Sequence, residues 1–331
     1  MDLLQPHFSA ITGFIQQARF AALQKVNTDL IQLYWQIGQY ISERTVKDHW
    51  GKGIVKALAA YIAENEPGSR GFSDKNLWRM KQFFEAYCDK PELHALVLQV
   101  SWSNNLLIFS KSKSDEEKLF YLHLTINDRL DARGLSRQID SATFERTLLA
   151  NQKLSTALRV LPQDVTDVFK DTYVFEFLDL PTPFSEKDLK HGLMQQLKKL
   201  ILELGDNFIF MGEEFRLQVG TKDFFVDLLF YHRELRCLVP FELKIDEFKP
   251  EFMGKLNFYL EALDRDVRKP HENPSIGVLL CKSKDDEVVE YTMSRNVSPT
   301  LVADYETKFI DKTLLRNRLH TLFLAAPDEA D

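Results

Sequence analysis

Asp227, Glu242 and Lys244 are the residues whose types and spacing could do chemistry. They sit in two short apolar runs, "FFVDLLFYH" and "RCLVPFELK", joined by a turn at Arg233-Glu234. Apolar runs bounded by polar residues read as strands, and a tight connection makes them an antiparallel pair. An even-length turn centred on Arg233-Glu234 sets Asp227 opposite Pro240, Phe225 opposite Glu242 and Asp223 opposite Lys244. Opposed residues share a face and side chains alternate along a strand, so Asp227, Glu242 and Lys244 fall on one face within a small area. An odd-length turn would send Asp227 to the other face.

Two carboxylates held close together repel, and burial disfavours each of them. A divalent cation removes both penalties. Mg²⁺, with Mn²⁺ able to substitute, takes hard oxygen ligands and keeps several waters. One of those waters can act as nucleophile while the ion screens a scissile phosphate, and a lysine alongside can stabilise the developing charge. Pro240 cannot donate to a ladder, so a local strand opening near Asp227 gives the ion room. The competing reading is a structural ion pair on an exposed sheet face; the apolar flanks and the element order favour the chemical one.

These strands must be held by their neighbours. "SEKDLKHGLMQQLKKLILELG" is an amphipathic helix with Ser185 as N-cap and Gly205 past its end. Three strands follow, "EEFRLQVG" and the two above, and then a helix opening near Pro250, a buried strand "SIGVLLCKS", a short helix "DDEVVEYTMSR", a strand "TLVADY" and a terminal helix. Residues 185–331 thus read α-β-β-β-α-β-α-β-α.

Residues 1–160 read as a helical domain. "FIQQARFAALQKVNTDLIQLYWQIGQYISERT" places Ile15, Ala18, Ala22, Val26, Leu30, Leu33, Ile37 and Ile41 at helical spacing. A second helix, "GKGIVKALAAYIAENEPG", stops at Pro67-Gly68, and a third is capped by Ser73 and buries Leu77, Met80, Phe84 and Tyr87. "SWSNN", residues 101–105, reads as a polar loop, and residues 115–160 add helices, including "SRQIDSATFERTLLANQKL". Pro162, Pro181 and Pro183 punctuate a linker over 161–184, with the boundary between 150 and 185.

The net charge of −7 argues against a nucleic-acid coat protein. From Arg44 to Lys81, however, there are eight basic residues against four acidic ones. That is the footprint of a DNA-binding appendage in a helix–turn–helix or winged-helix arrangement, with Lys75 and Arg79 on the exposed face of the third helix as DNA-contacting residues. A solvated helix face, or a surface for a protein partner, is the competing reading. Three scattered cysteines form neither a disulfide framework nor a zinc motif and fit a reducing cytoplasm. No apolar run reaches the ~20 residues that cross a bilayer, so no membrane association is expected.

Asp227, fourteen residues, then Glu242-Leu243-Lys244, following a helix and a strand, resembles the core of the PD-(D/E)xK nucleases. With "VNTDLIQLYWQIG", "GFSDKNLWRM", "SWS", "GLSRQI", "FRLQVGTKDFFVDLLFYHRELRCLVPFELK" and "KPEFMGKLNFYLEALD", the whole chain resembles the YhcG-type group, which joins a helical N-terminal domain to such a nuclease domain. The resemblance implies an α+β protein with an αβββαβ, restriction-endonuclease-like C-terminal domain. It implies Asp227 and Glu242 as metal ligands, the Leu243 carbonyl as a third, Lys244 as catalytic lysine, and Glu203 as an outer ligand or water-positioning group. Lys255 and Tyr259 occupy the place of a QxxxY signature that contacts DNA, with Lys255 standing for the Gln.

The expected activity is hydrolysis of DNA phosphodiesters through a metal-activated water, as an endonuclease, with a homodimer to cut both strands. The alternative is a catalytically silent nucleic-acid-binding or scaffolding subunit. Protein partners would act through the N-terminal domain.

Overall fold

The computed structural model describes residues 5–150 and 168–325, with Ser155 and Leu158 between them. The side chain of Ile15, the helix expected past residue 150, and Pro162 lie outside the described residues. The chain divides into two compact units, Met1–Ile139 and Asp140–Asp331. The division falls ahead of the 150–185 boundary read from the prolines.

The first unit is helical: α1 (Gln5–Lys47), α2 (Lys52–Asn65), α3 (Asp74–Tyr87), α4 (Pro91–Val97), α5 (Trp102–Lys111), α6 (Asp115–Asn127) and α7 (Ala132–Asp140). Ser73 caps α3 by accepting the Asn76 N–H. Leu77, Met80, Phe83 and Tyr87 are fully buried, with Phe84 half-buried beside Trp35. α1 reaches this core through Ile31, Tyr34, Trp35, Gly38 and Ile41 rather than through the whole expected stripe; Ala18, Ala22, Val26, Leu30 and Leu33 are exposed. Gly38 is needed here, because a Cβ would stand 2.2 Å from the Met80 carbonyl oxygen.

"SWSNN" proves to be a helix start. Ser101 accepts the Asn104 N–H, the Trp102 indole donates to Asn76 Oδ1 at 2.9 Å, and Asn105 Nδ2 donates to the carbonyls of Val97 and Val100. Its polar residues satisfy backbone ends inside the unit. The connection between α2 and α3 spans residues 66–73, with positive φ at Gly68 and Gly71, and is longer than the three or four residues of a helix–turn–helix turn. Lys75 and Arg79 are exposed on α3 as expected.

The second unit opens with α8 (Thr143–Leu149); the stretch read as one helix from Ser136 is broken by Ala142 at φ 55°. β1 (Thr172–Val174) lies within the segment read as linker. Next come α9 (Glu186–Gln195), α10 (Leu197–Leu204), β2 (Phe208–Val219), β3 (Lys222–His232), β4 (Cys237–Leu243), α11 (Phe252–Asp266), β5 (Gly277–Cys281), α12 (Asp286–Met293), β6 (Thr300–Glu306) and α13 (Lys312–Ala325). The expected long helix is therefore two, parted at Gln196. Otherwise the element order is the one read from the sequence, and the protein is α+β.

The strands form one mixed sheet in the order β1-β6-β5-β4-β3-β2. β4 pairs antiparallel with β3 and parallel with β5, and all seven of its residues are buried. That is why "CLVPFEL" reads as a continuous apolar run rather than an alternating one. One face packs Leu228, Phe230, Phe241, Leu243 and Leu280 against Leu189 and Leu193 of α9 and Leu200 and Leu204 of α10. The other packs Leu229 and Leu238 against Tyr259 and Leu263 of α11, and Leu279, Cys281 and Val302 against Leu256 and Val289.

Candidate active site

The β3–β4 ladder runs from His232–Cys237 to Leu228–Phe241 and stops there. Pro240 faces Leu229, not Asp227, so the register expected from the sequence is off by two residues. The connection takes in residues 233–236 and is centred between Glu234 and Leu235. The shift is even, so the face is preserved. Asp227 and Glu242 stand one step past the last pair, where the strands part.

At that opening Asp227 Oδ2 accepts the Leu243 N–H at 3.0 Å, a carboxylate taking the place of a ladder carbonyl. Its other oxygen lies 3.5 Å from Lys190 Nζ. Glu242 has no exposed surface. Its Oε1 accepts from Lys244 Nζ at 2.9 Å and Lys255 Nζ at 2.6 Å, while Oε2 is buried without a partner. Lys244 Nζ also donates to the Leu243 carbonyl at 2.9 Å and meets Glu186 at 3.3 Å. Asp227, Glu242, Leu243 and Lys244 are thus brought together, and Lys255, expected as a DNA-contacting residue, is bound to Glu242 among them.

Two expected residues are elsewhere in role or place. Tyr259 is 2% exposed; its hydroxyl donates to the Phe225 carbonyl at 2.7 Å and its ring lies under the Lys255 ammonium. It braces β3 and Lys255 and offers no surface to DNA. Glu203 does not join the cluster. It is fully buried on α10, bound by Arg146 at 3.1 Å, Lys170 at 3.4 Å and the Val174 N–H at 3.0 Å. Val174 belongs to β1, at the sheet edge three strands from β4.

Three site residues were not singled out in the sequence. Glu186 and Lys190 are one turn apart on α9, whose start is fixed by a capping box between Ser185 and Asp188. Lys190 Nζ binds Glu214 at 2.6 Å. Glu214, at φ 44°, falls between the pairs Glu213–Leu228 and Phe215–Val226 and so lies across from Asp227. The legible signal was the i, i+4 spacing of Glu186 and Lys190 next to a capping motif; a left-handed Glu within a strand leaves no sequence mark.

The electrostatics follow from burial and pairing. Burial, then the charge of Asp227, raises the pKa of Glu242, and Lys255 and Lys244 offset part of this. For Lys244 burial works downward, but the hydrogen bond and charge of Glu242, with Glu186, outweigh it and the net shift is up. Lys255 likewise ends raised, with Glu242 overcoming its desolvation. Lys190 is raised by Glu214 and Asp227 against its burial. All three ammonium groups therefore stay charged at neutral pH.

Glu242 Oε2 and the loosely held Asp227 Oδ1 are the oxygens that fit a divalent ion. Among the described residues no three His, Cys, Asp or Glu side chains converge as a complete metal cluster. Two carboxylates with water filling the remaining positions match the habit of Mg²⁺. The Leu243 carbonyl would have to exchange the Lys244 ammonium for the ion.

A mixed sheet with helices on both faces, opened between neighbouring strands at an Asp and an ExK tripeptide, defines a PD-(D/E)xK-type nuclease fold. The family model described as the YhcG PDDEXK nuclease domain matches residues 166–320, and that of the DUF1016 N-terminal domain matches residues 10–146. With both matched in order along one chain, the protein belongs to the YhcG-type family of the PD-(D/E)xK nuclease superfamily. A curated relative from Escherichia coli (strain K12), "Putative nuclease YhcG", is 29% identical over 350 residues, covering 93% of this chain and 92% of that protein. No solved structure matches significantly. Among the described residues no helix is long and apolar enough to cross a membrane.

Proposed function

We propose that the second unit hydrolyses DNA phosphodiester bonds as a Mg²⁺-dependent endonuclease. The observation that carries this reading is Glu242 Oε2, a buried carboxylate oxygen without a partner next to Asp227 and between two lysines. A buried acceptor left open is costly unless a ligand completes it. When bound, the ion supplies charge on the phosphate and lowers the pKa of a coordinated water. Asp227 and Glu242 would hold it. Lys244, next to the opening, gives its ammonium to the attacking oxygen or to the charge that grows on the phosphate. Lys255, Lys190 and Lys244 offset most of the charge of the four carboxylates around the opening, so that with the ion bound the pocket would admit an anionic backbone. Lys75 and Arg79 offer an exposed basic pair for holding the same polymer away from the reacting bond. The work is assigned to the cytoplasm.

The test is incubation of the purified protein with supercoiled, linear, single-stranded and branched DNA, and with RNA, with and without Mg²⁺ or Mn²⁺. Metal-dependent cutting that disappears in folded Asp227→Ala and Lys244→Ala supports the proposal. No cutting on any DNA, or equal cutting by both variants, rejects it; cutting confined to RNA rejects the substrate assignment.

A further inference from the structure

α1 carries a second apolar stripe that its own unit does not cover. Leu23, Val26, Leu30, Leu33, Ile37 and Tyr40 alternate at spacings of three and four, the a/d pattern of a coiled-coil seam. Leu23 is 70% exposed, Val26 66%, Leu30 38%, Leu33 41% and Tyr40 52%, with Ile37 half-buried. The helix meets its unit's core through other positions, Ile31, Tyr34, Trp35, Gly38 and Ile41. Among the described residues, its first side-chain hydrogen bonds to another element are those of Asn27 and Thr28 to the carbonyls of Val100 and Leu98. Before them, every described side chain from Phe14 to Val26 is exposed. Helices in proteins gain most of their stability from packing an apolar face, and among the described residues this stretch leaves Phe14, Leu23 and Val26 exposed.

We propose that the seam of α1 pairs with the same seam of a second copy of this chain. A partner for a/d spacing is another helix with that spacing, and α1 supplies one. Coiled-coil helices choose foreign partners through charges flanking the seam. Between Leu23 and Tyr40 the charged residues are Lys25 and Asp29, and they bind each other at 3.1 Å. The flanks therefore neither select an oppositely charged helix nor repel an identical one. The seam is ~27 Å long on a helix ~10 Å wide, on the order of 300 Å², comparable to the largest apolar patch of an ordinary monomer, a patch that is often functional. That is below the ~800 Å² per partner of a standard interface. The pairing is accordingly weak and depends on concentration.

Sedimentation velocity on the full chain, from low to high micromolar concentration, reads the pairing directly. The expected result is a shift from one copy to two, abolished in Leu30→Glu/Leu33→Glu with unchanged circular dichroism. A wild type that stays at one copy throughout, or a double variant that pairs as well as wild type, overturns the proposal. Should the double variant fail to fold, the second measurement is Leu30→Cys in a Cys88→Ser background, since Cys88 is the exposed cysteine and Cys237 and Cys281 are buried. A short bismaleimide must link two copies through position 30 and leave the Cys88→Ser parent unlinked. Absence of that link also overturns the proposal.

Discussion

Asp227 Oδ2 accepts the Leu243 backbone N–H at 3.0 Å, on the very step where the β3–β4 ladder ends. The carboxylate holds the parted strands in register while its second oxygen looks into the opening. On the proposed function, one side chain thus serves the fold and the chemistry at once.

Asp227→Asn separates these two roles. The amide oxygen can still accept from Leu243, but the charge that helps raise the Glu242 pKa is gone. In the metal-free protein this variant is expected to be more stable by about 0.5–2 kcal/mol at neutral pH, as when a functional charge is removed. The sign follows from linkage. A carboxyl with a raised folded pKa favours folding fully below its unfolded pKa and loses that contribution as pH rises through the folded value. The advantage of Asp227→Asn should therefore grow from acid pH toward neutrality. Thermal melts without metal check this; an advantage that does not grow with pH would contradict it.

Mg²⁺ should raise the melting temperature of the wild type and not of Asp227→Asn. A ligand that binds only the folded state stabilises by about 2.7 kcal/mol at a hundredfold excess over its Kd. Equal shifts in both proteins would place the ion elsewhere.

Lys244→Ala should lose on the order of 10²–10³-fold in cleavage rate, the usual effect of deleting one charge-stabilising donor. Lys244→Arg should restore little, because a planar fork cannot replace a compact ammonium between Glu242, Glu186 and the Leu243 carbonyl. Single-turnover kinetics with the DNA pre-bound checks both.

Glu203→Gln should damage stability and leave cleavage per folded molecule intact. It strips the negative partner from Arg146, which is nearly buried, and from Lys170. Breaking a buried ion pair by removing one partner costs about 3–5 kcal/mol. Denaturant titration beside a cleavage assay reads the two effects separately; a loss of rate with unchanged stability would return Glu203 to the chemistry.

Gly38→Ala should destabilise the helical unit by about 1–3 kcal/mol, the cost of overpacking a tight contact, since the new methyl meets the Met80 carbonyl oxygen. Chemical denaturation followed by circular dichroism measures it.

Much of this was legible in the chain. Alternation in "FFVDLLFYH" and the ExK tripeptide were enough to bring Asp227, Glu242 and Lys244 to one face, because any register shift by an even number preserves the face. The particular register was not legible, since four residues in the turn can carry the same parity as two. Glu203 was placed at the site by the resemblance, and nothing in the local spacing shows that Arg146 and Lys170, distant in the chain, bind it instead. The exposed stripe on α1 looked like core because spacing alone does not say which of two apolar stripes a domain will cover. Glu186, Lys190 and Glu214 escaped notice because their contacts depend on a long-range approach of α9 to β2, β3 and the end of β4.

The break at Gln196 has a consequence for how this chain can diverge. α9 carries Glu186 and Lys190 toward the opening, and α10 carries Glu203 to the opposite edge of the sheet. A single unbroken helix would tie those residues to one rotational phase, so a change of pitch needed at one end would disturb the other. With the joint between them, and on the proposed function, inherited variation in α9 would be judged by what the protein does to its substrate, and variation in α10 by whether the protein folds.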